Sequence, residues 1–357
     1  MDIPTAELRA ARAACGRWLP DEDFTIQAVP RAGFSGARAY TVDLAGGERW
    51  VLKSLPAETT TARIELVHRL MRRAREAGVG AVPPVRTLSD GSTIVDDGGT
   101  RWEFVRFVQG AATDAPSAAQ AAAAGGAVAR LHRAWATCPE VHPRMEHAPA
   151  VVRRVERARE LLARPWCSRL AGRRRAEGGG GSRLAAAVTE RLERGCRILA
   201  TAEGPVALAR VAAARPTPLP LQAVVRDLRC DHVLFGPGRA GTVAGIIDYH
   251  AAGLDTPAAD LARLVGGWRR PENTDHVVRA YESVRALSTP ERSVIRWLAA
   301  TGQVFGLDNW FRWVLDDDRS FPEPDAVLAR IDRLLDSLPD AVTELASSMG
   351  GGTGFGD

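Results

Sequence analysis

The chain has 357 residues, 45% of them hydrophobic and 25% charged, with a formal net charge of +4 and a pI near 9.0. This is enough chain for one large or two medium cores at an ordinary soluble composition. The mild basicity is spread along the sequence, whereas a nucleic-acid platform needs a basic stripe with interleaved aromatics, and no apolar run approaches the length of a membrane span.

The five cysteines, Cys15, Cys138, Cys167, Cys196 and Cys230, are odd in number and form no CxxC pair. They read as reduced thiols. The first residues carry acids and no apolar h-region, so no signal peptide is expected and the protein is placed in the cytoplasm.

Residues 5–18 predict a short amphipathic helix. From 24 to 55, "FTIQAVP", "RAGFSGARAYTVDLAGG" and "ERWVLKSLP" read as strands, with "LAGG" as a hairpin turn. "TTARIELVHRLMRRAREAG" has threonines at its start, apolar Ile64, Val67, Leu70 and Met71 at helical spacing, and a stop at Gly78. "PPVRTLSD", "GSTIVDDGG" and "RWEFVRFVQG" follow as three strand-like pieces. Residues 1–108 therefore predict a small, mainly antiparallel sheet with one helix. Beyond them the texture turns helical, in "PSAAQAAAAGGAVARLHRAW", "APAVVRRVERARELLARPW" and "SRLAAAVTERLERGCRILATA". The dense basic stretch Arg169 to Ser182 reads as a flexible, solvated loop, and "ARPTPLPLQ" as a proline-rich connector. "AVVRDLRCDHVLF", "GPGRAG" and "TVAGIIDYH" read as strands joined by turns, and Pro257 to Leu338 as helical. Residues 109–340 make the second domain, and 341–357 a disordered tail.

Three features carry chemistry. Lys53 is the only lysine among 47 basic residues. A chain that otherwise uses arginine keeps here a compact ammonium on a thin stem, suited to reaching a phosphate from a strand. Asp227 and Asp248 each stand just past a short apolar strand, and the turn "GPGRAG" lets the two segments pair. Buried carboxylates are costly unless a metal or a partner compensates them. In the loop "RAGFSGARAY", Gly33, Ser35 and Gly36 allow a backbone to approach phosphates closely. A lysine followed by two spaced aspartates points to metal-assisted phosphoryl transfer.

Six segments in order give a resemblance to the aminoglycoside phosphotransferase and choline kinase family, relatives of the protein kinases. They are "VLKSLP", "ARIELVHRL", "WEFVRFVQG", "GAVARLHRAW", "RDLRCDHVLF" and "GIIDYHAAGLDTPAADLARL". The resemblance implies a two-lobed α+β protein-kinase-like fold, with an antiparallel-sheet N-lobe and a larger helical C-lobe. It implies that Lys53 reaches the nucleotide phosphates and is steadied by Glu65. Arg106 and Val108 would lie at the hinge that binds the nucleotide, Asp227 would orient the acceptor hydroxyl and receive its proton, and Asp248 would hold magnesium. Asp260 would brace the catalytic loop from a helix start, and His132 would pack.

Three positions depart from the family pattern. Val225-Arg226-Asp227 stands where His-Gly-Asp or His-Arg-Asp is usual. His232 occupies the usual place of a metal-binding asparagine, and His250 that of a glycine. His232 either holds the second metal through a neutral nitrogen, with manganese then suited beside magnesium, or points away and leaves that place to Asp231 or water.

The expectation is an ATP-dependent phosphotransferase with a small-molecule hydroxyl acceptor, neutral or anionic rather than polycationic, and ATP and magnesium as cofactors. Two other readings remain at this stage: a nucleotide-binding regulatory protein with little turnover, and an RNA-associated protein using Arg169 to Arg175.

Overall fold

The computed structural model describes residues 5–29, 37–176, 182–237, 241–269 and 272–347. In chain order the elements are α1 (Thr5–Trp18), β1 (Phe24–Ala28), β2 (Arg38–Leu44), β3 (Arg49–Leu55), α2 (Thr61–Glu76), β4 (Ile94–Asp97), β5 (Thr100–Arg106) and α3 (Ala118–Trp135). There follow β6 (Arg144–His147), α4 (Pro149–Ala163), α5 (Trp166–Ala176), α6 (Arg183–Leu199), α7 (Glu203–Ala213) and β7 (Pro218–Val224). The last are β8 (Val233–Phe235), β9 (Val243–Ile246), β10 (Gly253–Asp255), α8 (Pro257–Val265), α9 (Asn273–Glu282), α10 (Thr289–Phe311) and α11 (Pro324–Ser347).

The chain forms two compact units. The first comprises residues 1–143, 222–253 and 268–286. Its base is a five-stranded antiparallel sheet in the order β1-β2-β3-β5-β4. Side chains alternate across a strand, so β3 sends Trp50 and Leu52 to one face and Arg49, Val51 and Lys53 to the other. The Trp50 face is a core with Tyr40, Val42, Trp102 and Phe104, covered by Ala11, Ala14, Cys15 and Trp18 of α1. Helix α2 buries Ile64, Val67, Leu70, Met71 and Ala74, the apolar stripe its sequence spacing predicts. Its N-terminus is capped by the Thr60 side chain, which accepts from Arg63 N at 3.3 Å. In the same unit, α3 packs on α9 so closely that a β-carbon on Gly125 would stand 2.3 Å from the Val277 carbonyl oxygen. Only a glycine permits that approach. His132 of α3 is fully buried, its Nδ1 2.9 Å from the Tyr281 hydroxyl, in the packing role expected of it.

The second unit, residues 144–221, 254–267 and 287–357, is helical among its described residues apart from β6, the start of β7 and the end of β10; β6 and β7 pair antiparallel from Arg144↔Leu221 to His147↔Pro218. Its core comes from α4, α6, α7, α8, α10 and α11, with Leu161, Leu192, Leu264, Phe305, Ile331 and Leu335 buried. Asp260, in the first turn of α8, is fully buried.

Four local expectations change. "PPVRTLSD" is not a strand and contributes only a bridge between Val85 and Val105. The proline-rich connector is partly strand, since Pro218–Val224 is β7. The basic loop starts as helix: α5 runs through Ala176 because Trp166 and Leu170, one turn apart, are buried, and Arg169 pairs with Asp308 at 3.0 Å. Residues 177–181 lie outside the described set. Helix α11 continues past 341 to Ser347, because Ala341, Val342 and Leu345 face the core.

Candidate active site

The chemistry-bearing residues gather in the first unit. Lys53, in the interior of β3, is directly opposite Glu103 of β5 in the sheet register. Glu103 is 3% exposed and accepts two hydrogen bonds, from His68 Nε2 at 2.9 Å and from His250 Nε2 at 2.8 Å. The other ring nitrogen of His68, Nδ1, lies 2.8 Å from the Thr93 hydroxyl. Burial by itself would raise the Glu103 pKa. The charge and hydrogen bond of His250, the bond from His68 and the Lys53 ammonium outweigh it and hold the carboxyl well below the usual range. For His250, burial acts downward, but the charge and hydrogen bond of Glu103 push its pKa above the ordinary value.

Glu65, expected to steady Lys53, is elsewhere. It is exposed on α2 and faces Arg69 at 3.8 Å, one helical turn on. The physical reason is helical phase: the positions of α2 that face the sheet are those of Ile64, Val67, His68 and Met71, and Glu65 falls outside that stripe. The carboxylate facing Lys53 comes from the neighbouring strand instead.

The aspartates arise on adjoining segments. Strand β7 leads into buried Val225, then Arg226 and Asp227, a short helical turn at Cys230–His232, and β8. β8 pairs antiparallel with β9, Val233 opposite Ile246, and the Ile247 N–H donates to the His232 carbonyl at 2.9 Å. Asp248 therefore emerges beside His232. The His232 Nδ1 is 2.8 Å from the Asp227 carbonyl, to which it donates, and its Nε2 is 3.5 Å from Asp248 Oδ2. One imidazole thus spans the backbone of Asp227 and the carboxylate of Asp248. Arg226 and Asp248 have φ of 67° and 65°. Left-handed backbone at a non-glycine residue costs of order 1–3 kcal/mol and clusters at functional sites. Here it immediately precedes Asp227 and falls on Asp248 itself. Asp231 is engaged elsewhere: Arg229 Nε donates to it at 2.9 Å, and although burial acts upward, that partnership brings the carboxyl down to about 2.

Arg106 ends β5 with its guanidinium 2.6 Å from Glu48 and over the Trp50 ring. Its side chain is therefore committed to the sheet. Val108 follows on the linker, and neither its N–H nor its carbonyl bonds to another described residue. The linker presses so close to β9 that a β-carbon on Gly245 would stand 2.7 Å from a Val108 methyl. Gly33, Ser35 and Gly36 lie outside the described residues.

Magnesium takes oxygen ligands, commonly one or two carboxylates, with waters and substrate phosphates completing the shell. Asp248, whose side chain is 44% exposed, fits that role. His232 has its Nδ1 engaged by a carbonyl and its Nε2 directed toward Asp248, so the ring nitrogen that would ligate lies on the Asp248 side. No cluster of three or more His, Cys, Asp or Glu able to hold an ion by themselves occurs among the described residues. This donor set suits a cation shared with a phosphate ligand. His250 Nδ1, two residues from Asp248, is buried with no partner among the described residues.

An antiparallel sheet carrying a lysine, followed by two aspartate loops in this order, defines a phosphotransferase of the kinase-like class. The profile of the phosphotransferase enzyme family (APH) matches residues 27–313, and the chain belongs to that family. Among curated proteins it is similar to a homoserine kinase of Beijerinckia indica subsp. indica, 26% identical over 253 residues, 69% of this chain and 68% of that one. It also resembles a homoserine kinase of Gluconobacter oxydans, 35% identical over 124 residues, 32% of this chain and 38% of that one. Among solved structures it is similar to a spectinomycin phosphotransferase in complex with ADP and spectinomycin (TM-score 0.70, 13% identity, 98% of this chain and 99% of that one). A choline/ethanolamine kinase family protein from Mesorhizobium loti matches with a TM-score of 0.53 and 19% identity over 96% of this chain and 99% of that one. These likenesses show the fold, the kinase-like α+β fold expected from the sequence. Among the described residues no helix is long and apolar enough to cross a membrane.

Proposed function

We propose that the chain transfers the γ-phosphate of ATP to the hydroxyl of a small molecule, and that the acceptor is a hydroxylated amino acid. The observation that carries the reading is the link from Asp227 through His232 to Asp248, in the same unit as Lys53 and the buried Glu103 opposite it in the sheet. The names of the two homoserine kinases support the acceptor class, and the solved relative with ADP supports the donor.

The roles follow from chemistry. The Asp227 carboxylate accepts a hydrogen bond from the acceptor hydroxyl, aligns it and takes its proton as the new O–P bond forms and the bond from the γ-phosphorus to the β–γ bridging oxygen breaks, releasing ADP. Lys53, opposite a carboxylate that accepts from two imidazoles, offers its ammonium to the phosphates from the floor of the sheet. Asp248 and His232 would hold magnesium, which when bound neutralises charge on the polyphosphate. The free N–H and carbonyl of Val108 suit the edge of a base. Strained φ at Arg226 and Asp248 keeps both carboxylates aimed while the loops are otherwise pinned by backbone hydrogen bonds.

The test is a screen of hydroxylated amino acids and sugars for ATP consumption, with phosphorus NMR to locate the transferred group. A phosphate monoester on a hydroxyl of an amino acid is the expected product. Consumption that no acceptor accelerates would instead favour a nucleotide-binding protein without transferase activity.

A further inference from the structure

The second unit gathers several arginines around helix α4. Helix α4 carries Arg153, Arg154 and Arg157 in little more than one turn. Arg153 donates to buried Asp255 at 3.1 Å. Arg157 donates to Asp308 and, at 2.7 Å, to Asn309 Oδ1, while Asp308 also takes Trp166 Nε1 and Arg169 at 3.0 Å each. Both acids are thus fully engaged. Arg154, between these two arginines, makes no hydrogen bond or ion pair with any described residue. It is half-buried, its guanidinium 5.5 Å from the centroid of the Phe305 ring, which Arg157 approaches from the same distance. Where Gly302 stands on α10, a β-carbon would lie 3.8 Å from Arg154 Nη2. Burial first, then the charges of Arg263, Arg157 and Arg153, pull the Arg154 pKa down to about 9.

A guanidinium has five N–H donors in a fixed fork and loses hydration when it is buried. Aromatic contact offsets part of that loss but satisfies no donor. Clustered like charges make the position worse still, unless an anion joins them.

We propose that Arg154, backed by Phe305 and Gly302 and flanked by Arg263, anchors an anion-binding site that takes the carboxylate of a small hydroxy acid or amino acid. Arginine and carboxylate match in geometry, two parallel N–H donors facing two oxygens. Gly302 presents no side chain to the Nη2 edge of the guanidinium. That the carboxylate belongs to the acceptor rests on the phosphotransferase reading above. The site itself does not, since a free organic acid or inorganic phosphate presents the same chemistry.

The experiment therefore has a binding arm and a turnover arm. Calorimetric titrations without nucleotide compare hydroxylated amino acids and hydroxy acids with their primary amides, and with inorganic phosphate, on wild type, Arg154→Gln and Arg154→Lys. Melting curves of each variant verify folding. Losing a bidentate charged contact weakens binding about tenfold or more. Acids are expected to bind wild type that much more tightly than their amides, Arg154→Gln to lose the preference, and Arg154→Lys to keep part of it. In turnover, the Arg154→Gln defect should fall mainly on KM for the acid, with KM for the amide moving far less. Binding of acids or of phosphate that depends on Arg154, without phosphate transfer to any acid, upholds the anion site while the phosphotransferase reading fails. Efficient transfer with equal binding of acids and amides, or an unaltered preference in a folded Arg154→Gln protein, overturns the site while that reading stands.

Discussion

Lys53 and Glu103 stand opposite each other on two adjacent strands of the sheet, and the Glu103 carboxylate accepts from two imidazoles. Removing one member of a buried charged network leaves the others uncompensated, at about 3–5 kcal/mol. Glu103→Gln is expected to lower the melting temperature clearly and to weaken use of ATP. Glu65→Gln, on an exposed helix face, should stay within about 0.5 kcal/mol of wild type. Denaturant unfolding of both variants, with KM for ATP, separates the two. Equal effects would return the role to Glu65.

The same carboxyl sets a pH dependence. Its folded pKa is below the unfolded value near 4.5, so its contribution is present above that value and is lost as pH falls through the folded one. His250 has the opposite sign. Its folded pKa is above the unfolded 6.5, so its contribution is full below 6.5 and declines as pH climbs through the raised value. The stability gap between wild type and Glu103→Gln should therefore be widest in the mildly acidic range between these limits and should narrow on either side. A gap that keeps growing into strong acid would contradict the network.

A point charge under a polyphosphate cannot be replaced by a planar fork without displacing its neighbours. Lys53→Arg is expected to impair ATP use nearly as severely as Lys53→Ala, measured as kcat/KM for ATP at saturating acceptor. Retention of most activity by the arginine variant would show that the site reads charge alone.

His232 offers nitrogen where a hard oxygen ligand would suit magnesium better. Its Nδ1–H is occupied by the Asp227 carbonyl, which leaves Nε2 toward Asp248. His232→Asn is expected to shift the ratio of manganese-supported to magnesium-supported turnover in favour of magnesium. An unchanged ratio would reduce His232 to a brace between the two loops, and the cation site would be redrawn around Asp248.

Much of this was legible in the sequence, because local signals and global fold agree. Strand texture placed Lys53 within β3, helical spacing gave α2, and the turn between "DHVLF" and "TVAGII" paired the strand that follows Asp227 with the one that precedes Asp248. What stayed hidden depends on tertiary register. Glu103 lies inside the run "RWEFVRF", where a lone acid between apolar residues signals nothing until the lysine strand is laid beside it. His68 reads as one more residue of an amphipathic stripe, and His250 as a departure from the family's glycine, until both are seen donating to the same carboxylate. Arg154 is one arginine in a chain full of them, set apart only once its neighbours have found acids.

The division of labour between the two aspartates is the centre of the account, and it is read most directly by calorimetric titration of Mg-ATP into Asp227→Asn and Asp248→Asn. The account predicts that Asp227→Asn binds Mg-ATP with close to wild-type affinity while phosphate transfer is abolished, and that Asp248→Asn loses the metal-dependent part of binding itself. Equal loss of Mg-ATP binding in the two variants, or full binding in Asp248→Asn, would contradict it.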